Sequence, residues 1–289
     1  MTHLSVIIPV FNRQTAVARA VDSVLEQDVS DIEIIIVDDG SKPPIALPVK
    51  YQSDDRIRLV AHAKNGGAAA ARNTGMRSAR GAWIAFLDSD DRWLPGTLRP
   101  RLDTAIAAAE REANPLLVYV AGFKLIRQGS PRFEVRHPAA SRQVVDFASG
   151  CWFSPGSTAL FLREPLLTRV GGQDERLRRF EDVDWFLRIA QAGGGIVSQP
   201  IVAAEIEVGP RPSVEVTQRE GALLVAKYRS SMGADKSCRR IVRRLRAWLA
   251  FERASAAWHA GRFGETLLAL AQSWWLKPRF RLYLEKFTT

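Results

Sequence analysis

Through its first hundred residues the chain alternates short runs of Val, Ile and Leu with apolar stripes at helical spacing. An apolar run of four to six residues has no wet face. A strand built from it needs cover on both sides, which crossover helices supply in a parallel sheet. Ser5-Val6-Ile7-Ile8 predicts the first strand, Ile32 to Val37 the second, Ile57 to Val60 the third and Trp83 to Leu87 the fourth. Between them, Val17, Ala20, Val21, Val24 and Leu25 fall on one face of a helix from Thr15 to Gln27, and Asn65 to Ser78 reads as a Gly/Ala-rich helix. Another helix follows Pro95, with Leu98, Leu102, Ala105, Ile106 and Ala109 on its apolar face.

Beyond residue 114 the pattern loosens. Leu116 to Phe123, Val144-Val145 and Ala159 to Leu162 read as strands, and the segment from Cys151 to Thr158 as a loop. A helix from Glu181 to Ala192 stops at Gly193-Gly194-Gly195. After residue 215 the chain reads as helices. Ile241, Leu245, Trp248 and Leu249 form one stripe there, among Arg239, Arg240, Arg243, Arg244 and Arg246.

Charge divides the chain more sharply than hydropathy. Of a net charge of +10 over 289 residues, the segment 220–289 holds 14 basic and 5 acidic residues, or +9, so the first 219 residues are nearly neutral. We therefore expect one unit over 1–215 and a basic helical segment over 216–289. That segment reads as a solvated helical cap or as a contact with an anionic membrane surface. Trp274-Trp275 beside Lys277, Arg279 and Arg281 suits an interface. No nucleic-acid module accompanies the charge. Two cysteines make no disulfide framework, the Leu4–Phe11 run is no leader, and no apolar stretch reaches transmembrane length, so a cytoplasmic protein with at most peripheral membrane contact is expected.

Polar clusters close three of the predicted strands: Phe11-Asn12-Arg13, Asp38-Asp39-Gly40-Ser41 and Asp88-Ser89-Asp90-Asp91. Ligands of open α/β sheets bind outside the carboxyl ends of strands. Carboxylates gathered there repel one another unless a cation joins them. A hard divalent ion that takes one or two protein carboxylates and shares a diphosphate meets that need. The same Asp, Gly and Ser residues also suit turns and caps, and Asp184 with Arg188 is an i, i+4 pair needing no further role. His3, His62, His137 and His259 match no metal spacing. Neither GxGxxG nor GxxxxGK[ST] is present, which disfavours Rossmann dehydrogenases and P-loop kinases.

Five segments together, Ser5-Val6-Ile7-Ile8-Pro9-Val10-Phe11-Asn12, Val37-Asp38-Asp39-Gly40-Ser41, Asn65-Gly66-Gly67 with Ala71-Arg72-Asn73, Phe86-Leu87-Asp88-Ser89-Asp90-Asp91 and Glu181-Asp182-Val183-Asp184, resemble the family 2 glycosyltransferases of the GT-A fold. The resemblance covers about residues 3 to 205, and it implies a nucleotide-sugar-binding half over 1–100 and an acceptor half over 101–215. It implies an α/β fold with a Rossmann-like, mostly parallel sheet, and a nucleotide-sugar pocket of Pro9, Phe11, Asp38, Asp39, Arg72, Asp88 and Asp90. Asp39 would accept from the base, Asp38 would lie near the ribose and Arg72 near the diphosphate. Asp90, then Asp88, would hold Mn²⁺ or Mg²⁺ with Asp91 in support, and Asp182 would be the general base of an inverting transfer. Trp152, Ser157 and Glu181 are expected beside the acceptor. The implied partners are a nucleotide-sugar donor, UDP-linked by expectation, and a polysaccharide or lipid-linked glycan acceptor. The processive synthases of the family carry QxxRW, which Arg243 to Trp248 lacks, so transfer of a single sugar is expected. A silent sugar-nucleotide or glycan-binding protein is the alternative from another class, and a nucleotidyltransferase lacks its Gly-rich phosphate loop here.

Overall fold

The computed structural model describes residues 3–127, 132–209, 212–231 and 236–278. Its elements in chain order are β1 (Leu4–Val10), α1 (Gln14–Leu25), β2 (Ile32–Asp38), α2 (Val49–Gln52), β3 (Ile57–Ala61), α3 (Ala68–Ser78), β4 (Trp83–Phe86), β5 (Arg92–Trp93), α4 (Leu98–Arg111), β6 (Leu117–Ile126), β7 (Phe133–Arg136), α5 (Val144–Phe147), β8 (Ala159–Leu162), α6 (Arg163–Arg169), α7 (Glu181–Gln191), β9 (Gly195–Glu207), α8 (Val214–Ser231), α9 (Lys236–His259) and α10 (Phe263–Leu276). Among the described residues the strands join one sheet in the order β3-β2-β1-β4-β8-β6-β9-β5, with β7 on the far end of β6.

The apolar runs behave as their composition requires. β3, β2, β1 and β4 are parallel neighbours, with Val10 opposite Asp38 and Ile7 opposite Phe86. Alternate side chains of β1 enter two cores: Val6 and Ile8 pack under α1 and α4, and Ile7 packs under α3 and α7. Glu33, the charged residue within the apolar run of β2, accepts from the Ser5 hydroxyl, the Arg80 N–H and Arg58, and these bonds outweigh burial and hold its carboxyl below the usual range. Past β4 the sheet turns mixed, because β8 runs antiparallel to both β4 and β6 while β9 returns parallel to β6. The C-terminal helices are no separate layer. Leu224 and Tyr228 of α8 and Ile241, Leu245 and Trp248 of α9 close the same core as Phe86 and Trp185.

One expected strand is corrected. Val144-Val145 opens the helical turn α5, because the Gln143 carbonyl accepts the Asp146 N–H and the Ser141 hydroxyl donates to the Asp146 carboxylate. That turn drives Phe147 inward, 5.2 Å from the Trp152 ring and 6.4 Å from Phe186. A β-branched pair cannot outweigh a buried aromatic anchor. No described helix is long and apolar enough to cross a membrane. Arg279 and Arg281 lie outside the described residues.

Candidate active site

The three polar clusters converge at the carboxyl ends of β1, β2 and β4. The first two are laced together. Asp38 is buried, and its two carboxylate oxygens accept the N–H groups of Ser41 and Ile45, which outweigh burial and lower its pKa. The Ser41 hydroxyl accepts the Asn12 N–H, and the Asn12 side chain accepts the Lys42 N–H. Asp39 takes the N–H groups of Gly66 and Gly67 and one ring nitrogen of His62, so it fixes the 65–67 turn against β2. His62 is thus a tether from Asp39 to Thr74.

These loops wall a cleft of about 410 Å³ lined by Pro9, Phe11, Arg13, Asp39, Arg72, Asp88 and Asp90, together with Asn65 and Gly67. Phe11 is 44% exposed, an aromatic face held open at the rim. Arg72 enters from α3. Its side chain is one-tenth exposed, and it donates to Asp88 at 2.8 Å and to Glu181 at 3.3 Å. Arg13 pairs with Asp90 at 3.0 Å.

The acids of the third cluster are crowded. Burial, then the charges of Asp88 and Glu207, pushes Asp90 upward against the pull of Arg13. Asp91 sits deeper, accepting from the Ser157 hydroxyl and the Glu207 N–H. Burial and the Asp88 charge raise its pKa to about 8. Among the described residues no three metal-binding side chains converge. Two hard carboxylates that face a cleft, each already drawing an arginine, nonetheless fit a divalent cation that keeps its other positions for a diphosphate.

A second cavity of about 370 Å³ adjoins the first. Arg178, Arg179, Glu181, Asp182, Cys151 and Trp248 are among its lining residues. The N-terminus of α7 delivers the acids: Phe180, at φ 66°, turns the chain in a conformation rare for a bulky residue and is held by edge packing on Trp248 at 5.1 Å. Asn73 secures the approach, exchanging hydrogen bonds with the Gln173 backbone. Burial and the Asp182 charge raise Glu181, and Arg72 opposes them. Cys151 is pushed well up by burial and by Asp182. Arg72 and Glu181 therefore form the shared wall between the two cavities.

Three sequence-based placements need correction. Asp38 is buried and is not among the residues that line the cleft, its carboxylate closing the 38–45 turn. Trp152 is buried in the aromatic core, its ring N–H donated to the Ala139 carbonyl, and Ser157 is wholly buried behind the third cluster. Neither lines the second cavity. The loop 151–158 instead backs the acids: a Cβ on Gly156 would stand 2.3 Å from Asp88 Oδ2. Asp184 is tied to Arg188, Lys227 and the Tyr228 hydroxyl, a structural role as its i, i+4 spacing suggested. Missing from the sequence-based set were Arg13, Asn65, Arg178 and Arg179. The cations just after the first strand and just before Glu181-Asp182 were the available signal.

A parallel half-sheet with acids at its strand ends, continued by a mixed half that carries a second cavity, is the layout of the GT-A fold. The crystal structure of S. aureus TarS 1-349 in complex with UDP shares it, with a TM-score of 0.62 and 19% identity over 96% of this chain and 81% of that one. The chain belongs to glycosyl transferase family 2, whose profile matches residues 5–167. It is similar to an uncharacterized glycosyltransferase of Haemophilus influenzae, 28% identical over 65% of this chain and 62% of the relative. It is also similar to the Escherichia coli enzyme WfgD, a UDP-Glc:alpha-D-GlcNAc-diphosphoundecaprenol beta-1,3-glucosyltransferase, 37% identical over 34% of this chain and 39% of that protein. The chain spans less than two thirds of the length of these curated relatives.

Proposed function

We propose that this chain is an inverting, metal-dependent glycosyltransferase that moves one sugar from a UDP-sugar to a polysaccharide or lipid-linked glycan. The observation that carries the reading is the Arg72–Glu181 contact at 3.3 Å, which sets a carboxylate-rimmed cleft directly against a cavity holding a second pair of acids. A donor and an acceptor have to meet across such a wall. The UDP complex of TarS and the lipid-diphosphate substrate named for WfgD support the donor and acceptor classes.

In this reading Phe11 stacks on the base at the cleft rim, and Asp39, whose Oδ2 takes a single protein donor, retains capacity to accept from it. Arg72 and Arg13 supply positive charge where the diphosphate lies. Asp88 and Asp90 would hold Mn²⁺ or Mg²⁺, which when bound stabilises the departing diphosphate as a Lewis acid. Asp182 takes the proton of the acceptor hydroxyl as that oxygen bonds to the anomeric carbon and the bond from that carbon to the diphosphate oxygen breaks. A single displacement inverts the anomeric centre. Arg178 and Arg179, beside Asp182, suit an acceptor that carries phosphate. A lipid-linked acceptor would bring the protein to a membrane surface.

The test is UDP release from a panel of UDP-sugars supplied with a lipid-diphosphate-linked sugar, with Mn²⁺ and with chelator. Release is expected only with donor, acceptor and metal together. Asp182→Asn should lower turnover by about 10²–10⁴-fold, the usual worth of a general base, while leaving UDP affinity unchanged. Near-normal turnover in that variant would refute the assigned base.

A further inference from the structure

The last described helix is turned inside out. α10 packs chiefly on α9, yet apart from Leu276 its buried residues are small or polar. Thr266, Ala269 and Ser273 are buried, whereas Leu268 is 72% and Trp275 77% exposed. Phe263, Leu267 and Trp274 share that outward face, and Trp258 at the end of α9 packs edge-on to Phe263. The setting of the helix is fixed by specific bonds: the Ser273 hydroxyl donates to the Ala247 carbonyl, Arg253 donates to Gln272, and Arg243 donates to the Leu276 carbonyl. The outward large apolar face is therefore built in. It exceeds the scattered single hydrophobics normal on a soluble surface.

Beside this face lies a cavity of about 710 Å³. Arg229, Arg239, Arg243 and Arg246 contribute to its walls, and Trp275 and Leu276 stand at its α10 side. Residues 236–278 carry nine basic and two acidic side chains, counted directly from the sequence. A second copy of the chain is a poor occupant, because a two-fold interface would set this basic surface against itself. A helix with a tryptophan-bearing apolar face flanked by arginines matches an anionic bilayer interface on both counts. Its 14 residues also lie outside the range needed to span a membrane.

We propose that α10 and the arginine side of α9 form a docking surface for an anionic phospholipid bilayer. α10 lies in the interface plane, and the arginine-lined cavity receives lipid phosphate. This inference goes beyond the transfer reaction, since it rests on α9 and α10 alone. Arg244 takes no part, being held toward Asp146 and Ser149, and Arg243 is engaged by α10 itself.

The experiment is flotation of the full chain with vesicles of phosphatidylglycerol and phosphatidylcholine, against vesicles of phosphatidylcholine alone, at low and high salt. Adsorption should require phosphatidylglycerol, fall at least ~10-fold at high salt, and shift tryptophan emission to the blue. Leu267→Ser/Leu268→Ser/Trp275→Ser should abolish it, and Arg239→Gln/Arg246→Gln should weaken partition roughly 10- to 30-fold. UDP affinity and the thermal midpoint should be unchanged in both, which separates this test from that of the transfer reaction. Adsorption to neither vesicle, or equal adsorption by the triple serine variant, would overturn the proposal. So would a dimer in sedimentation that the serine variant dissolves while the parent chain ignores vesicles, because the face would then belong to a second copy.

Discussion

Replacing Arg72 by Met keeps the length of the side chain and removes the only charge bridging Asp88 to Glu181 among the contacts described. At an effective dielectric near 20, ions about 4 Å apart attract by about 4 kcal/mol, and desolvation of the guanidinium offsets much of this in the parent protein. Without Arg72 the two carboxylates fare differently. Asp88 is 34% exposed, so water screens it and its share is under ~1 kcal/mol. Glu181 is 14% exposed and stands beside Asp182, so it cannot stay ionised cheaply. Its penalty is capped by the work of protonating it. From the ordinary value of 4.5, that work at pH 7 is about 1.36 × 2.5 ≈ 3.4 kcal/mol. The destabilisation is therefore at most about 3–4 kcal/mol at pH 7, and smaller by whatever the already raised Glu181 costs the parent protein. In the variant, the folded pKa of Glu181 lies above its unfolded value, so stability is intact at low pH and lost as pH rises toward the folded pKa. At pH 5 the cap falls to about 1.36 × 0.5 ≈ 0.7 kcal/mol, and the deficit should shrink to about 1 kcal/mol. Urea unfolding followed by tryptophan fluorescence at the two pH values measures both numbers. A loss below about 1 kcal/mol at pH 7, or an equal loss at both, would show that Glu181 does not depend on Arg72.

Two further substitutions probe the cleft. Asp90→Asn should abolish the gain in UDP affinity on adding Mn²⁺, read by calorimetry with and without chelator. It should leave stability unchanged or slightly higher, because burial and its acidic neighbours disfavour the ionised Asp90 in the ligand-free protein. Gly156→Ala should push the Asp88 carboxylate away from the loop behind it, weakening metal-dependent UDP binding by about 10-fold, since displacements near 1 Å are enough to spoil a positioned group. Unchanged affinity in that variant would mean that Asp88 tolerates a different rotamer.

The first half of the fold was legible because its strands are covered on both faces and so are written as apolar runs, each followed by a helix with a single apolar stripe. The second half is written in contacts that sequence does not carry. β9 contains Gly195, Pro200 and Glu205, and it exists by pairing with β6 some eighty residues away, through register shifts around Gly122. β5 is two residues long and is held by Ala204 and Glu205. In the site, the clusters could be read because polar residues recur at three strand ends, two of them rich in aspartate. Trp152 and Ser157 could not be placed, because loop-like composition does not tell whether a loop faces solvent or folds inward against Asp88 and Asp91. Asp38 and Asp39 are adjacent in a motif, yet the structure divides them: one closes a turn and the other lines the cleft.

The orientation of α10 shows where periodicity stops informing. A helical wheel separates Phe263, Leu267, Leu268, Trp274 and Trp275 from Thr266, Ala269 and Ser273 without ambiguity, and the usual rule sends the larger, more apolar set to the core. Burial was decided instead by what α9 offers: the Ala247 carbonyl, which accepts from the Ser273 hydroxyl, and Arg253 and Arg243, which reach Gln272 and the Leu276 carbonyl. Small residues permit that close approach and bulky ones would not. Selection for the apolar face to stay outside follows from its large residues standing mostly exposed, with Phe263 edge-on to Trp258, while the opposite face is bonded in three places. A core-directed reading of the same sequence would predict that serine at Leu268 destabilises the fold by the 2–5 kcal/mol typical of a truncated core leucine. The exposed setting predicts almost no change in the thermal midpoint, so Leu268→Ser alone decides between the two before any vesicle is added.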